Sequence, residues 1–192
     1  ALTDLPQFSC KPTQSMLAAG IIMAPSLDYM DTAYRDAKQI GWSKQPIIEM
    51  LIPSLLDPSL APMGKHVASL FCQQFDPTLE SEWDIHRQSA IDAILNTVES
   101  FAPGFRALIV GQQAHSPWDL EQKFGLVGGD IFHGRLSLEQ LFSARPMLGM
   151  GQYQTHLDNL YMCGAGTHPG GGVMGLAGHN AAKEIIKRGK SA

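Results

Sequence analysis

The stretch NLYMCGAGTHPGGGVMG, residues 159–175, decides the fold prediction because it joins a short apolar segment to a run of glycines. The apolar segment Asn159–Cys163 predicts a strand, and the apolar residues between 176 and 186 recur at helical spacing. A strand, a glycine-rich turn and a helix in this order can bind negative charge, because glycines let a ligand approach the backbone and the first helical N–H groups face it. The sequence therefore predicts a ligand-binding turn in its last third.

Three of these glycines, Gly170, Gly172 and Gly175, match the pattern GxGxxG of dinucleotide-binding folds. Close packing of a strand against a helix produces the same pattern, so the match alone leaves both interpretations open. The opening unit of a dinucleotide-binding domain needs an acidic residue about 20 positions further on. Only 17 residues follow Gly175, so the turn is not such an opening unit, although it fits a closing one.

The residues before the turn predict an α+β fold. Helices are predicted over residues 26–41, 87–101, 116–124 and 137–143, and strands over 46–53, 66–75 and 106–114. Helices and strands alternate without a strict βαβ rhythm, so we expect a mixed β-sheet with helices packed on it.

Composition excludes several classes of protein. The 192 residues carry 14 basic and 18 acidic side chains, a net charge of −4, which provides no basic surface for nucleic acid. The longest apolar run, Met16–Ala24, is far shorter than the ~20 residues of a membrane-spanning helix. Cys10, Cys72 and Cys163 include no CxxC pair, and they predict a reducing compartment, either the cytoplasm or an organelle matrix.

Two further features of the sequence are its N-terminus and its histidines. Because the sequence begins with Ala1 and shows no signal-peptide pattern, we expect it to be part of a longer protein. Its seven histidines form no HxH or HExxH pair, so no metal site is predicted. Cys163 could act as a nucleophile, but its place in an apolar segment favours a buried, inert thiol.

The segment Leu141–Ala182 resembles the C-terminal part of phytoene desaturase-like FAD-dependent oxidoreductases, a branch of the amine oxidase group. The resemblance is carried by NLYMCGAGTHPGGGV, by Arg145-Pro146 and by the QYQT of residues 152–155, and it extends loosely over 46–74 and 118–133. His156 departs from it, standing where the family usually has Pro. Met174 also departs from it, standing where a small or polar residue is common.

The resemblance implies a division of the chain and a set of site residues. Residues 1–143 would be substrate-binding-domain material, and 144–192 would be the closing strand, loop and helix of a Rossmann-like FAD-binding domain whose N-terminal half is absent. Arg145 and Tyr153 would lie near substrate or cofactor, and no catalytic residue is identified. The residues implied in cofactor binding are Gly164, Ala165, Gly166, Gly171, Gly172, Val173 and Met174.

The function implied is transfer of a hydride from an apolar substrate to FAD, as a flavoprotein oxidoreductase. Since the unit that holds pyrophosphate and adenosine in the family is missing, we expect this chain alone to be inactive and to carry no FAD. A half-domain would leave apolar surface open, so we expect a homo-oligomer through the C-terminal end. The alternative is a non-catalytic module that binds a hydrophobic ligand or a partner subunit and never holds flavin.

Overall fold

A computed structural model describes residues 1–77, 79, 83–134 and 136–189. The chain divides into two compact units, Ala1–Trp118 and Asp119–Ala192. The described helices are α1 (Gln14–Leu17), α2 (Leu27–Ile40), α3 (Trp83–Phe101), α4 (Phe105–Leu108), α5 (Pro117–Phe124) and α6 (Leu176–Gly189). The described strands are β1 (Ile21–Met23), β2 (Trp42–Leu51) and β3 (Ser69–Phe75).

The first unit is built on a three-stranded sheet in the order β1-β2-β3. Both pairings are antiparallel, with Met23 opposite Ile48 and Ile48 opposite Cys72. The α+β class is therefore confirmed, but the described strands do not form the mixed sheet that we expected. Parallel pairing needs a crossover connection, usually helical, and β2 and β3 are joined instead by a loop with two short 3-10 turns. β1 and β2 pair antiparallel although helix α2 lies between them in the chain.

The ends of helix α2 follow the sequence prediction for residues 26–41. The Ser26 hydroxyl accepts a hydrogen bond from the Tyr29 N–H at 3.1 Å, which caps the first turn. Gly41 ends the helix with φ of 91°, a left-handed conformation that glycine adopts without strain. The chain then enters β2 directly.

Helix α3 and the sheet share the hydrophobic core of this unit. Leu95 and Val98 from α3 are buried with Ile48 and Met50 from β2, and Ala102 follows the helix into the same cluster. The periodic apolar residues predicted a helix from Arg87, and it begins four residues earlier, at Trp83.

The strand predicted over residues 106–114 is wrong. The Glu99 carboxylate accepts hydrogen bonds from the N–H groups of Gly104 and Arg106, at 2.7 and 2.9 Å, and the chain turns there into helix α4. Ile109 then forms only an isolated bridge with Leu2. A side-chain cap thus decides the conformation of a segment whose composition favours a strand.

The helix predicted over residues 137–143 is also wrong. The described chain forms two 3-10 turns there, Leu138–Gln140 and Phe142–Ala144. The Ser137 side chain makes no capping hydrogen bond, and Phe142 has φ of 51°, which no α-helix accommodates.

The strand predicted over Asn159–Cys163 is wrong as well. Asn159 has φ of 60°, and Tyr161 forms an isolated antiparallel bridge with Gln154. The Thr155 N–H donates to the Leu160 carbonyl at 3.0 Å, which closes a tight local turn. A five-residue apolar run carried too little periodicity to distinguish a strand from such a turn.

The second unit buries little apolar surface of its own. Its buried apolar residues, among those the structure describes, are Tyr153, Ala177 and Ala181. Arg145 and Thr167 are buried with them, although both are polar. Buried polar side chains therefore help to hold this unit together, and both of these residues donate hydrogen bonds to the glycine-rich turn.

Candidate functional site

The glycine-rich turn, residues 164–175, is folded on itself before helix α6 begins at Leu176. The Thr167 N–H and hydroxyl both donate to the Gly164 carbonyl, at 3.0 and 2.8 Å. The Gly170 N–H donates to the Thr167 carbonyl at 2.7 Å. Thr167 is only 2% exposed, so the turn is closed around a buried side chain.

The glycines of the turn are required for different reasons. Gly170, Gly172 and Gly175 have φ of 106°, 149° and 66°, which disfavours any residue with a side chain. A Cβ on Gly171 would lie 2.7 Å from the Phe132 ring, so close packing demands glycine there. Gly164 has neither reason, because its φ is not positive and a Cβ would meet nothing within 4 Å.

Four backbone N–H groups ahead of α6 have no acceptor within the described part of the chain. They are those of Gly171, Gly172, Val173 and Met174. The Val173 side chain is fully exposed and that of Met174 is 53% exposed, so the segment lies at the surface. Unpaired donors in front of a helix N-terminus favour a negatively charged or electron-rich group.

Arg145 lies behind the turn and is 2% exposed, which excludes a surface arginine. Its Nε and Nη2 donate to the Ala165 carbonyl at 3.2 and 2.9 Å. Nη2 also approaches the carbonyls of Phe132, His133 and Gly134, at 3.0, 3.3 and 3.5 Å. The guanidinium thus joins the turn to a second segment.

Tyr153 holds the other end of the turn. Its hydroxyl donates to the His168 carbonyl at 2.9 Å and accepts from Asn180 Nδ2 of helix α6 at 2.9 Å. The side chain is 7% exposed. Both residues that were expected near substrate or cofactor are therefore in contact with the turn, and direct contact of either with a ligand stays a prediction.

A cleft of about 340 Å³ opens beside Tyr153. Its lining includes the loop residues Gln152 and His168 and, from α6, Asn180, Lys183 and Lys187. Glu184 also lines the cleft and is paired with Arg188 at 2.6 Å.

The cysteines are unpaired in the described structure. Cys163 is exposed, so the expected burial of this thiol is wrong, because the segment carrying it does not form a buried strand. Cys72 is the sheltered one: burial beside the core raises the pKa of its thiol to about 12. Among the described residues, no group of three or more His, Cys, Asp or Glu side chains could hold a metal ion.

The residues of the turn fit the polar edge of a flat cofactor such as a flavin. Gly164 leaves an open space that a Cβ would fill, without any structural need for glycine. The N–H groups of residues 171–174 meet no acceptor in the part of the chain that the structure describes, which suits the electronegative edge of a flavin ring. The Met174 side chain occupies part of the space beside Gly172, since a Cβ there would lie 2.6 Å from its terminal methyl group. A flavin edge at Gly172 would therefore require this flexible side chain to move.

Sequence comparison identifies the relatives of this chain. Over 158 residues it is 47% identical to pyridine nucleotide-disulfide oxidoreductase domain-containing protein 2 of Rattus norvegicus, covering 81% of this chain. Over 128 residues, 65% of this chain, it is 31% identical to the lycopene-forming phytoene desaturase of Pseudescherichia vulneris. This chain is a relative of the phytoene desaturase-like oxidoreductases. The predicted resemblance is confirmed.

The matches cover a limited part of each relative. The chain spans 27% of the length of the rat protein and 25% of the bacterial desaturase. A phytoene desaturase of Fusarium fujikuroi is 27% identical over 166 residues, 74% of this chain and 28% of that protein. No protein-family model matches the chain.

Sequence reasoning missed three residues of the site. Thr167 closes the turn, Asn180 anchors it to α6 and Phe132 fills the space against Gly171. The only available signal for Thr167 was its place between two glycine clusters. Nothing in the sequence connected Phe132 with a turn almost 40 positions away along the chain.

Proposed function

We propose that this chain is the C-terminal part of an FAD-dependent oxidoreductase and that its glycine-rich turn receives an edge of the flavin. The observation that carries the proposal is the row of four N–H groups, Gly171 to Met174, ahead of helix α6, for which the described residues provide no acceptor. The relation to oxidoreductases and desaturases supports the same class of reaction. Helix donors of this kind stabilise negative charge that develops on a bound ring.

The residues that would hold the flavin edge are Gly164, Ala165, Gly166, Gly171, Gly172, Val173 and Met174. When bound, FAD would supply the redox step by accepting a hydride from the substrate. The chain's own contribution is to orient the ring and to favour negative charge along its polar edge. We assign no general base, and Arg145 and Tyr153 stay candidates for proximity to substrate or cofactor.

We propose that residues 1–143 belong to substrate binding and 144–192 to the FAD-binding domain. In the first unit, a cleft of about 440 Å³ has a mostly apolar lining that includes Phe8, Met16, Leu17 and Ile21. Such a lining supports a hydrophobic small molecule as the substrate. No described helix is both long and apolar enough to cross a membrane.

A non-catalytic module that binds a hydrophobic ligand is the second candidate. The apolar cleft of the first unit favours it, because that cleft needs no flavin to be filled. In this case the turn would serve only to pack the segment before α6 against Phe132.

For either function, the three unpaired cysteines support a reducing compartment, the cytoplasm or an organelle matrix.

The test is to purify the full-length protein and identify any bound cofactor by its visible spectrum and by chromatography after acid release. A yellow protein that releases FAD, and whose colour bleaches with a hydride donor under anaerobic conditions, supports the oxidoreductase. A protein that stays colourless after incubation with FAD, yet binds an apolar fluorescent probe, supports the binding module.

A further inference from the structure

The first part of the glycine-rich turn, residues 164–168, has most of its carbonyl oxygens occupied from inside the protein. The carbonyls of Gly164 and Thr167 accept from N–H or hydroxyl groups within the turn. Those of Ala165 and His168 accept from the buried side chains of Arg145 and Tyr153. Oxygens held in this way cannot present negative charge to a ligand as freely as unpaired carbonyls would.

The N–H groups of residues 171–174, further along the turn, have no acceptor among the described residues. The side chains that hold residues 164–168 also reach this second part of the turn. Arg145 Nη2 donates to the Phe132 carbonyl, and the Phe132 ring packs against Gly171, where a Cβ would lie 2.7 Å from it. A turn free to rotate its peptide planes would not hold these N–H groups toward one side.

Arg145 is the inner side chain with the most extensive contacts. It bridges Ala165 to Phe132, His133 and Gly134, all through backbone carbonyls. Within the described residues it forms no ion pair, so its charge is balanced only by carbonyl dipoles. A planar guanidinium can span these oxygens, whereas a lysine ammonium is a single point of charge on a flexible stem.

We propose that Arg145 is a positioning residue: by holding the Ala165 carbonyl against the 132–134 segment, it fixes the turn in the conformation that presents N–H groups to the ligand. The ligand class follows from the proposed function, on which this inference rests, and is an electron-rich ring edge or anion. In this role Arg145 acts through the backbone of the turn, since its hydrogen bonds within the described residues all go to backbone carbonyls.

The test compares Arg145→Met and Arg145→Lys with Arg106→Met in the full-length protein. Arg106 is a matched control because it is also an arginine with several hydrogen bonds, to Asp92 and Asn96, but lies in the first unit. Two quantities are measured: amide hydrogen exchange in peptides that cover 132–134 and 164–174, and the affinity for FAD with the visible spectrum of the bound flavin.

We expect Arg145→Met to accelerate exchange in both peptides and to weaken FAD binding by about tenfold or more, because hydrogen bonds to a charged group are lost. Arg145→Lys keeps the charge but not the bridge, so it should accelerate exchange as well. Arg106→Met should change neither quantity. Should Arg145→Met fail to fold, Arg145→Lys alone decides, because it keeps the charge but cannot bridge Ala165 to residues 132–134.

The inference is overturned if Arg145→Met leaves exchange in 164–174 unchanged, or if Arg145→Lys restores wild-type exchange and flavin affinity. It is also overturned if Arg145→Met lowers the melting temperature while its flavin affinity and spectrum stay as in the wild type, since the role of Arg145 would then be structural only. Absence of flavin from the wild-type protein refutes the proposed function instead. The exchange measurement then still decides whether Arg145 fixes the turn.

Discussion

Buried polar side chains determine the local structure of the second unit. Arg145 and Thr167 are each 2% exposed, and both bond to backbone carbonyls of one turn. Burying such groups is unfavourable unless their hydrogen bonds are made, so each one restricts the backbone around it. The dipeptide Arg145-Pro146 indicated a functional region but not this burial, because the carbonyls that satisfy the arginine come from distant positions.

The three cysteines differ in environment, and two in the first unit allow a direct comparison. We expect Cys10 to react with iodoacetamide in the native protein, because it is exposed, and Cys72 to resist. The thiolate is the reactive form, and burial that raises the Cys72 pKa to about 12 keeps this thiol protonated at pH 8 and still at pH 10. Peptide mapping by mass spectrometry checks this. Equal labelling of both residues in the native state would contradict the partly buried position of Cys72 beside the core.

At the scale of elements, the contact between α3 and α4 depends on one carboxylate. Hydrogen bonds from the N–H groups of Arg106 and Gly104 lower the pKa of Glu99 below its ordinary value of 4.5. A lowered carboxyl pKa contributes stability that is complete above the unfolded value and is lost as the pH falls through the folded one.

We therefore expect Glu99→Gln to reduce the free energy of unfolding at pH 7 and to weaken its dependence on pH below about 4.5. Urea unfolding at pH 7 and at pH 3 measures both effects. Asp158→Asn is the control, because Asp158 lies on an exposed part of the second unit. An acid dependence as steep in the Glu99 variant as in the wild type would show that this carboxylate does not hold α4.

The sheet gives a second prediction for an element. Ile48 is fully buried in the core between β1 and β3, whereas Ile22 on β1 is 68% exposed. Ile48→Ala should lower the free energy of unfolding by about 2–5 kcal/mol, because it removes buried methyl groups and leaves a cavity. Ile22→Ala should change it by less than about 0.5 kcal/mol. Equal losses in chemical denaturation would place the core elsewhere.

Elements with strong local signals could be predicted from the sequence, and the others could not. Ser26 and Gly41 bound α2 through a cap and a left-handed residue, both of which are local chemistry. The segment at Asn159–Cys163 and the one after Arg106 were wrongly predicted as strands, since contacts with residues outside each segment set its conformation. The first contact is the bridge from Gln154 to Tyr161, and the second is the hydrogen bond from the Arg106 N–H to the Glu99 carboxylate.

On the scale of the whole molecule, the second unit exposes many large apolar side chains. On and before α6 they are Val173, Met174, Leu176, Ile185 and Ile186. Exposed apolar surface of this extent tends to be covered by another chain. The strand predicted at Asn159–Cys163 is not formed, so exposed side chains rather than the edge of a sheet would make the contact between chains.

We predict that the protein forms a dimer or a higher oligomer through this surface. Light scattering at increasing concentration should show a mass above that of one chain, and Ile186→Glu should lower it, because a charge would be buried in the contact. The control is Ile22→Glu, which places a charge on an exposed residue of the first unit. A monomer at every concentration would count against this assembly.

If the glycine-rich turn receives the flavin, a side chain added at Gly164 should displace it. Gly172 is less suitable, because its φ of 149° makes any substitution strained whatever binds there. Gly164 and Gly111 match each other, because neither has a positive φ. In addition, a Cβ added to either would have no other described atom of the chain within 4 Å, its sequence neighbours aside.

The measurement is the flavin content per protein chain of Gly164→Val and Gly111→Val in the full-length protein, with the melting temperature of each. We predict that both variants melt as the wild type does, that Gly111→Val keeps its full flavin content, and that Gly164→Val loses most of it. Full flavin content in Gly164→Val, with the same spectrum as the wild type, would remove this end of the turn from the cofactor site.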